Sequence, residues 1–224
     1  MNEFVTEVIN CPYCNKSSYD HWASENGFNA VKCKNCDFVY VNPRPDQALI
    51  SEAVKTGNHR EVANGHNVVA QREKKKIAQY EKIFTEVFSD VWKKSEPVTW
   101  LDIGAGYGEI VEAVTRLACD GSRIEGIEPM TPKANEAQRL GLSVREQYLS
   151  DVAEKYDFVS LVNVFSHVPD FRQFLCEIKT VIKDGGEFFM EAGNIADLPS
   201  SESVCDTLNP VSYTHLTLPT IYSV

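Results

Sequence analysis

Four cysteines and three glycines are the residues in this chain whose spacing could do chemistry. The cysteines lie in "CPYCNKSSYDHWASENGFNAVKCKNCDFVYVNPRP" as two C-x-x-C pairs, Cys11 with Cys14 and Cys33 with Cys36, eighteen residues apart. One C-x-x-C turn offers two thiolates to an ion, and two such turns complete a tetrahedral shell. The expectation is a structural zinc site, because four protein thiolates leave no open position for a reacting ligand. A redox dithiol is the alternative, but that chemistry uses one such pair beside a strand–helix unit. His21 could replace a thiolate in principle, but the shell is already full, so it reads as a solvated loop residue. The other cysteines, at 119, 176 and 205, read as small buried apolar residues.

The glycines lie in "VTWLDIGAGYGEIVEAV", at 104, 106 and 108. An apolar run suited to a buried parallel strand leads into them, and a helical pattern follows. Glycine lets the turn take positive φ and lets a ligand lie against bare backbone. The helix N-terminus beyond it favours an anionic group. A dinucleotide frame, G-x-G-x-x-G, would need glycine at 109, where the residue is Glu109. Asp102 stands two residues before the first glycine. Glu128 closes a second strand-like run, "SRIEGIEP", where a carboxylate can accept both hydroxyls of a ribose. The plainer reading of Glu128 is a surface carboxylate after a strand.

Taken together, "LDIGAGYGE", "GIEP" and "LVNVFSHVPDFRQFL" resemble the class I S-adenosylmethionine-dependent methyltransferases over about residues 97–200. The resemblance implies that Asp102, Gly104, Ala105 and Gly106 hold the methionine end of the cofactor and that Glu128 holds its ribose. Asn163, at the carboxyl end of the fourth strand, joins the cofactor set because ligands sit at the carboxyl ends of strands in such sheets. His167 follows that strand. It could serve as a general base, but a structural role in the "HVPD" turn is favoured, since the family carries histidine here without a catalytic role.

These residues need elements to position them. Residues 1–42 read as a zinc ribbon with short strands in "GFNAVKC" and "FVYVNP". Residues 43–96 read as a helical connector, with a short helix in "DQALISEAV", a loop over "TGNHREVANGHN" and a longer helical pattern over 68–92. In "REKKK" at 72–76 the charges read as the solvated face of that helix rather than a nucleic-acid patch. Residues 97–210 read as an α/β, Rossmann-like methyltransferase sheet, incomplete at about five strands. The later strands are placed in "LSVREQ", "YDFVSLVN" and, after a helix in "DFRQFLCEIKTVIK", in "DGGEFFMEAG". Strands alternating with helices imply right-handed crossovers and a parallel sheet.

The last fourteen residues, 211–224, contain no Asp, Glu, Lys or Arg. "VSYTHLTLPT" resembles the translation of a transposon-end sequencing adapter. The expectation is therefore a non-native tail outside the fold, a core lacking its sixth and seventh strands, and a chain that binds cofactor weakly and does not turn over.

Composition narrows the function. With 43% hydrophobic residues over 224, the chain can bury a full core. Its net charge is −10, and residues 97–210 hold nine basic against nineteen acidic groups. That half would repel a polyanion, which makes nucleic acid an unlikely partner. No apolar run is long enough to span a membrane, and the N-terminus has no secretory pattern, so the cytoplasm is expected. The leading reading is methyl transfer from S-adenosylmethionine to a small-molecule acceptor, an activated sugar or secondary metabolite. An RNA base methyltransferase with a zinc knuckle and a non-catalytic zinc-ribbon adaptor are the alternatives.

Overall fold

The computed structural model describes residues 6–25, 27–56, 72–192 and 214–215. They fall into two compact units. One draws on residues 1–68, 163–175 and 191–221, and the other on 69–162 and 176–190, with 222–224.

The first unit opens with β1 (Thr6–Glu7), β2 (Tyr19–Glu25), β3 (Phe28–Cys33), β4 (Val39–Val41), β5 (Arg44–Pro45) and α1 (Gln47–Thr56). β2, β3 and β4 form an antiparallel meander. The predicted strands are β3 and β4. The sequence did not suggest β2, whose residues are mostly polar, and His21 belongs to it rather than to a loop. The His21 Nε2 lies 2.7 Å from Ser24 Oγ. Alternation works where one face is covered: Ala23, Ala30, Val39 and Val41 are buried together, with Trp22 and Phe28 packed against them. The loop expected after α1 lies outside the described residues.

The second unit begins with α2 (Lys74–Val87) and α3 (Ser89–Lys94). Ile77, Tyr80, Phe84 and then Phe88 recur at helical spacing, and all four are buried. Next come β6 (Thr99–Ile103), α4 (Glu109–Leu117), β7 (Arg123–Ile127), α5 (Thr131–Arg139), β8 (Val144–Arg145) and β9 (Tyr156–Val162). After α6 (Phe171–Thr180) the chain enters β10 (Ile182–Glu191). The sheet order is β10-β9-β6-β7-β8. β6 pairs in parallel with both β7 and β9, and β7 with β8. Tyr156 N–H donates to Val181 O and Asn163 N–H to Glu191 O, so β10 also runs parallel to β9. This is the five-stranded, doubly wound sheet that the sequence implies.

Three boundaries differ from expectation. The helix expected over 68–92 begins at Lys74 and is interrupted at Phe88, the cap shared by α2 and α3. The third strand shrinks to two residues because only Val144 and Arg145 face partners on β7. The helix expected over 170–183 stops at Thr180, since the carbonyl of Val181 is already taken into the β9 ladder.

Aromatic packing closes the unit. Phe88 meets Trp100 edge-on at 5.2 Å, Trp100 stacks on Phe158 at 5.3 Å, and Phe84 meets Phe189 edge-on at 5.1 Å. Asp157 ties three strands together. Its Oδ2 accepts from Thr99 N–H at 2.8 Å and from the Thr99 hydroxyl at 2.7 Å, and Lys183 Nζ sits 3.0 Å from both oxygens. These donors hold the Asp157 carboxyl below its ordinary range despite burial.

Gly126, on β7, has no room for a side chain. A Cβ there would lie 2.6 Å from Ala105 Cβ and 2.9 Å from Val111 Cγ2. Gly126→Ala should therefore destabilise the protein by about 1–3 kcal/mol, the usual range for overpacking. Urea denaturation would read this as a lower midpoint at unchanged slope.

The tail departs from expectation at one place. Thr214–His215 forms β11, which pairs antiparallel with Tyr40 and Val39 on β4. An uncovered β4 would present bare N–H and C=O groups, and any extended segment within reach can pair with them. The remainder of 211–224 lies outside the described residues. The two other described cysteines also depart from the reading, for Cys176 is exposed and Cys119 only partly buried. Among the described residues no helix is long and apolar enough to cross a membrane.

Candidate cofactor and metal sites

The glycine loop takes the shape its residues dictate. Gly104, Gly106 and Gly108 have φ of 70°, 56° and 80°, a region that side chains disfavour. The N–H groups of Gly104 and Ala105 both donate to Ile127 O at 2.9 Å, which pins the loop to the end of β7. Gly108 caps α4, whose first turn is acidic. A Cβ on Gly106 would meet nothing nearer than Glu109 Oε2 at 3.9 Å, so the space beside it is open to a ligand.

Glu128 is not the surface carboxylate of the plainer reading, for it is 7% exposed. Its Oε2 accepts from Gly106 N–H at 2.8 Å and its Oε1 from Met130 N–H at 2.9 Å. Burial raises its carboxyl above the ordinary range, and the two backbone donors and Lys133 pull it back. Each oxygen keeps a further lone pair able to accept a hydroxyl.

Asp102 is 2% exposed and accepts from the Ser160 hydroxyl at 2.6 Å. Burial pushes it up to about 7. Ser160 opposes the rise, while the charges of Glu128 and Glu109 add to it. Asp102, Gly104, Ala105, Gly106 and Glu128 are thus all at the carboxyl ends of β6 and β7 or in the loop between β6 and α4. Asn163 directly follows β9 with φ 55°, left-handed backbone that asparagine tolerates. His167 ends a short 3₁₀ turn, Phe165–His167, with its N–H on Val164 O at 2.8 Å.

Arg72, expected on a solvated helix face, lies just before α2 and is largely covered. It is held by the Glu112 carboxylate, and its Nε donates to Tyr107 O at 3.2 Å. The carbonyl it takes belongs to the glycine loop, so Arg72 buttresses that turn.

The cysteines converge. Cys11 and Cys36 sulfurs lie 3.6 Å apart, Cys14 and Cys33 sulfurs 3.5 Å apart, and all four fall within 4.8 Å of one another. A tetrahedral ion with sulfur ligands at 2.3 Å requires sulfur separations of about 3.8 Å. The cluster could hold such an ion with little adjustment. The two turns are built alike. Asn15 N–H donates to Cys11 O and Asp37 N–H to Cys33 O, while Cys11 N–H reaches Lys16 O and Cys33 N–H reaches Phe38 O. Asn15 and Asp37, with φ of 58° and 60°, take the left-handed residue that follows each pair. The nearby Tyr40 is fully buried, and its hydroxyl has no partner among the described residues.

In the same unit the segment after β9 is fastened to this cluster. The Arg172 guanidinium donates to Pro12 O from Nε at 3.2 Å and to Tyr13 O from Nη2, and it lies over the Tyr13 ring at 5.4 Å. Phe171 packs on Phe38 at 5.6 Å, and Arg44 Nη1 donates to Pro169 O at 2.9 Å. Sequence reasoning missed Arg172, Ser160 and Arg72. Only Ser160 left a trace, as the one hydroxyl in the apolar run "FVSLV".

A parallel sheet ordered around β6, a glycine loop with open space at Gly106 and a buried acidic residue closing β7 define a Rossmann-like methyltransferase fold. The chain belongs to the methyltransferase domain family, whose model matches residues 64–212. Among curated relatives, it is 30% identical over 101 residues to a ubiquinone biosynthesis O-methyltransferase of Aeromonas salmonicida. It is 28% identical over 101 residues to the Salmonella arizonae protein of the same name. Each match covers 42% of this chain and 42% of the relative, so the matched stretch spans under half of either protein. Among solved structures, it is similar to the plantazolicin methyltransferase BpumL in complex with a pentazolic desmethylPZN analog and SAH. That likeness is at 18% identity and a TM-score of 0.47, over 59% of this chain and 55% of that one. Coclaurine N-methyltransferase bound to N-methylheliamine and SAH is similar at 19% identity and a TM-score of 0.42, over 50% and 36%.

Proposed function

We propose that the chain binds S-adenosylmethionine at the glycine loop and transfers its methyl group to a small-molecule acceptor. The observation that carries this reading is the open space beside Gly106, flanked by the buried carboxylates of Asp102 and Glu128. Asp102, Gly104, Ala105 and Gly106 would hold the methionine end, and Glu128 the ribose hydroxyls. Asn163 joins them on its place directly after β9. When bound, the cofactor supplies a methyl group on a positively charged sulfur, already activated for transfer. The chain's part is to hold and orient the two reactants. Transfer to a heteroatom also releases a proton, and an imidazole such as His167 can accept one, although its place at the end of the 3₁₀ turn suits the structural role that the sequence favours.

The acceptor class rests on two supports. The curated relatives are named for an O-methylation in ubiquinone biosynthesis. The surplus of acidic groups over residues 97–210 disfavours a polyanion. An activated sugar or a secondary metabolite fits this class. Zinc is the ion proposed for Cys11, Cys14, Cys33 and Cys36, in a structural role, because four thiolates close its shell. Residues 1–42 then form the zinc ribbon, 43–96 the connector and 97–210 the catalytic core.

Calorimetry with S-adenosylhomocysteine and NAD tests the cofactor assignment. The homocysteine product should bind and NAD should not, because Glu109 stands where a dinucleotide frame needs glycine. Binding of NAD alone would overturn it.

A further inference from the structure

The carboxylate of Asp102 is supported by a pair of residues that the glycine motif does not specify. Ser160, on β9, lies directly opposite Asp102 in the parallel register and is fully buried. Its Oγ lies 2.6 Å from Asp102 Oδ1 and 2.9 Å from Trp100 Nε1. An indole nitrogen can only donate, so Ser160 accepts from Trp100 and keeps its own proton to donate to the ionised Asp102. With Asp102 ionised, the chain of donors runs from Trp100 to Ser160 to Asp102. Trp100 cannot swing away, for it is fully buried between Phe158 and Trp92, stacked at 5.3 and 6.1 Å.

The neighbours of Ser160 on β9, Phe158, Val159 and Leu161, are buried and apolar. A hydroxyl at such a position costs free energy unless it is bonded, and alanine would fill the site without that cost. Asp102 Oδ1 is thus occupied, whereas Oδ2 takes no hydrogen bond from any described residue.

We propose that Ser160, oriented by Trp100, is a positioning residue that holds Asp102 as an anion with its free oxygen presented to the ammonium of the cofactor's methionine moiety. The inference rests on the cofactor reading above. The charges that bear on Asp102 are Glu109 from α4 and Glu128 from the end of β7, and both oppose its ionisation, as burial does. The Ser160 bond works against all three. Burial pushes the carboxyl up to about 7, and the Ser160 bond favours the anion against that rise.

The test is the pH dependence of S-adenosylhomocysteine affinity, measured by calorimetry from about pH 5.5 to about pH 9 on either side of the Asp102 midpoint. Affinity of the unaltered protein should rise as Asp102 ionises. In Ser160→Ala the midpoint should move to higher pH, with affinity near neutrality about tenfold weaker and the gap closing at alkaline pH. Trp100→Phe keeps the ring but removes the N–H, and should shift the midpoint the same way by less. Carbon-13 titration of the Asp102 carboxyl without cofactor should show the same upward shifts. Midpoints unmoved in both variants would reduce Ser160 to a packing residue and overturn the inference. Asp102→Asn separates the two claims. If it binds the ligand as well as the unaltered protein does, the cofactor assignment of Asp102 fails. If it binds weakly and without pH dependence, that assignment stands whatever Ser160 does.

Discussion

Cys33→Ser should release the metal, expected at about one zinc per chain, and unfold the ribbon around it. A segment of some 40 residues cannot hold itself together by core burial, whereas structural zinc supplies about 10–16 kcal/mol of apparent binding free energy in small metal domains. Loss of one thiolate also leaves a mismatched shell beside the fully buried Tyr40. The damage should spread within its own unit. Residues 169–172 lean on residues 12–44 of the same unit, with Arg172 on Pro12 and Tyr13, Phe171 on Phe38, and Pro169 O held by Arg44. Hydrogen exchange should therefore speed up in this segment as well as in β2 to β4. The sheet around β6, with its own aromatic core, should keep its protection. Metal analysis finding no zinc in reduced, freshly prepared protein would refute the metal assignment. Unchanged exchange in residues 169–172 after metal loss would refute the coupling.

Glu128→Ala should weaken cofactor binding by about 1–3 kcal/mol, since the ribose hydroxyls lose a charged acceptor. The structure adds a second route to the same loss. The Glu128 carboxylate holds the N–H groups of Gly106 and Met130, so its removal frees the glycine loop at Gly106. Glu128→Gln retains one acceptor oxygen and should fall between the two. Calorimetry with S-adenosylhomocysteine reads all three proteins, and equal affinity in Glu128→Ala would refute the ribose assignment.

The glycine loop was legible because its signal is local. A buried strand reads as an unbroken apolar run, and positive φ reads as glycine. The cysteine quartet was legible because metal ligands repeat at the spacing of a tight turn. What stayed hidden depends on register between distant strands. Nothing in "FVSLV" says that Ser160 will lie opposite Asp102, because the pairing of β9 with β6 is settled by packing across 58 residues. Arg72 looked solvated beside three lysines, yet Glu112, 40 residues on, claims it. β2 was missed because its residues are mostly polar and its outer face stays exposed, so hydrophobic patterning gave no sign of it. The pairing of Thr214–His215 with β4 had no sequence signal at all.

The fastening of Arg172 to Pro12 also sets an order of events during synthesis. The two residues are 160 apart in the chain, and Arg44 and Pro169 are 125 apart. All four cysteines have been made once Cys36 has left the ribosome. At about 5–20 residues per second, Arg172 follows on the order of ten seconds later. Through that interval Tyr13 and Phe38 stand without the segment that covers them. β9 leads directly into the covering segment, and β10, the edge strand of the parallel sheet, is made only after it. The segment that covers this face is therefore made only after β6 to β9, and a pause or a chaperone acting between residues 36 and 172 meets the two cysteine turns with Tyr13 and Phe38 still bare.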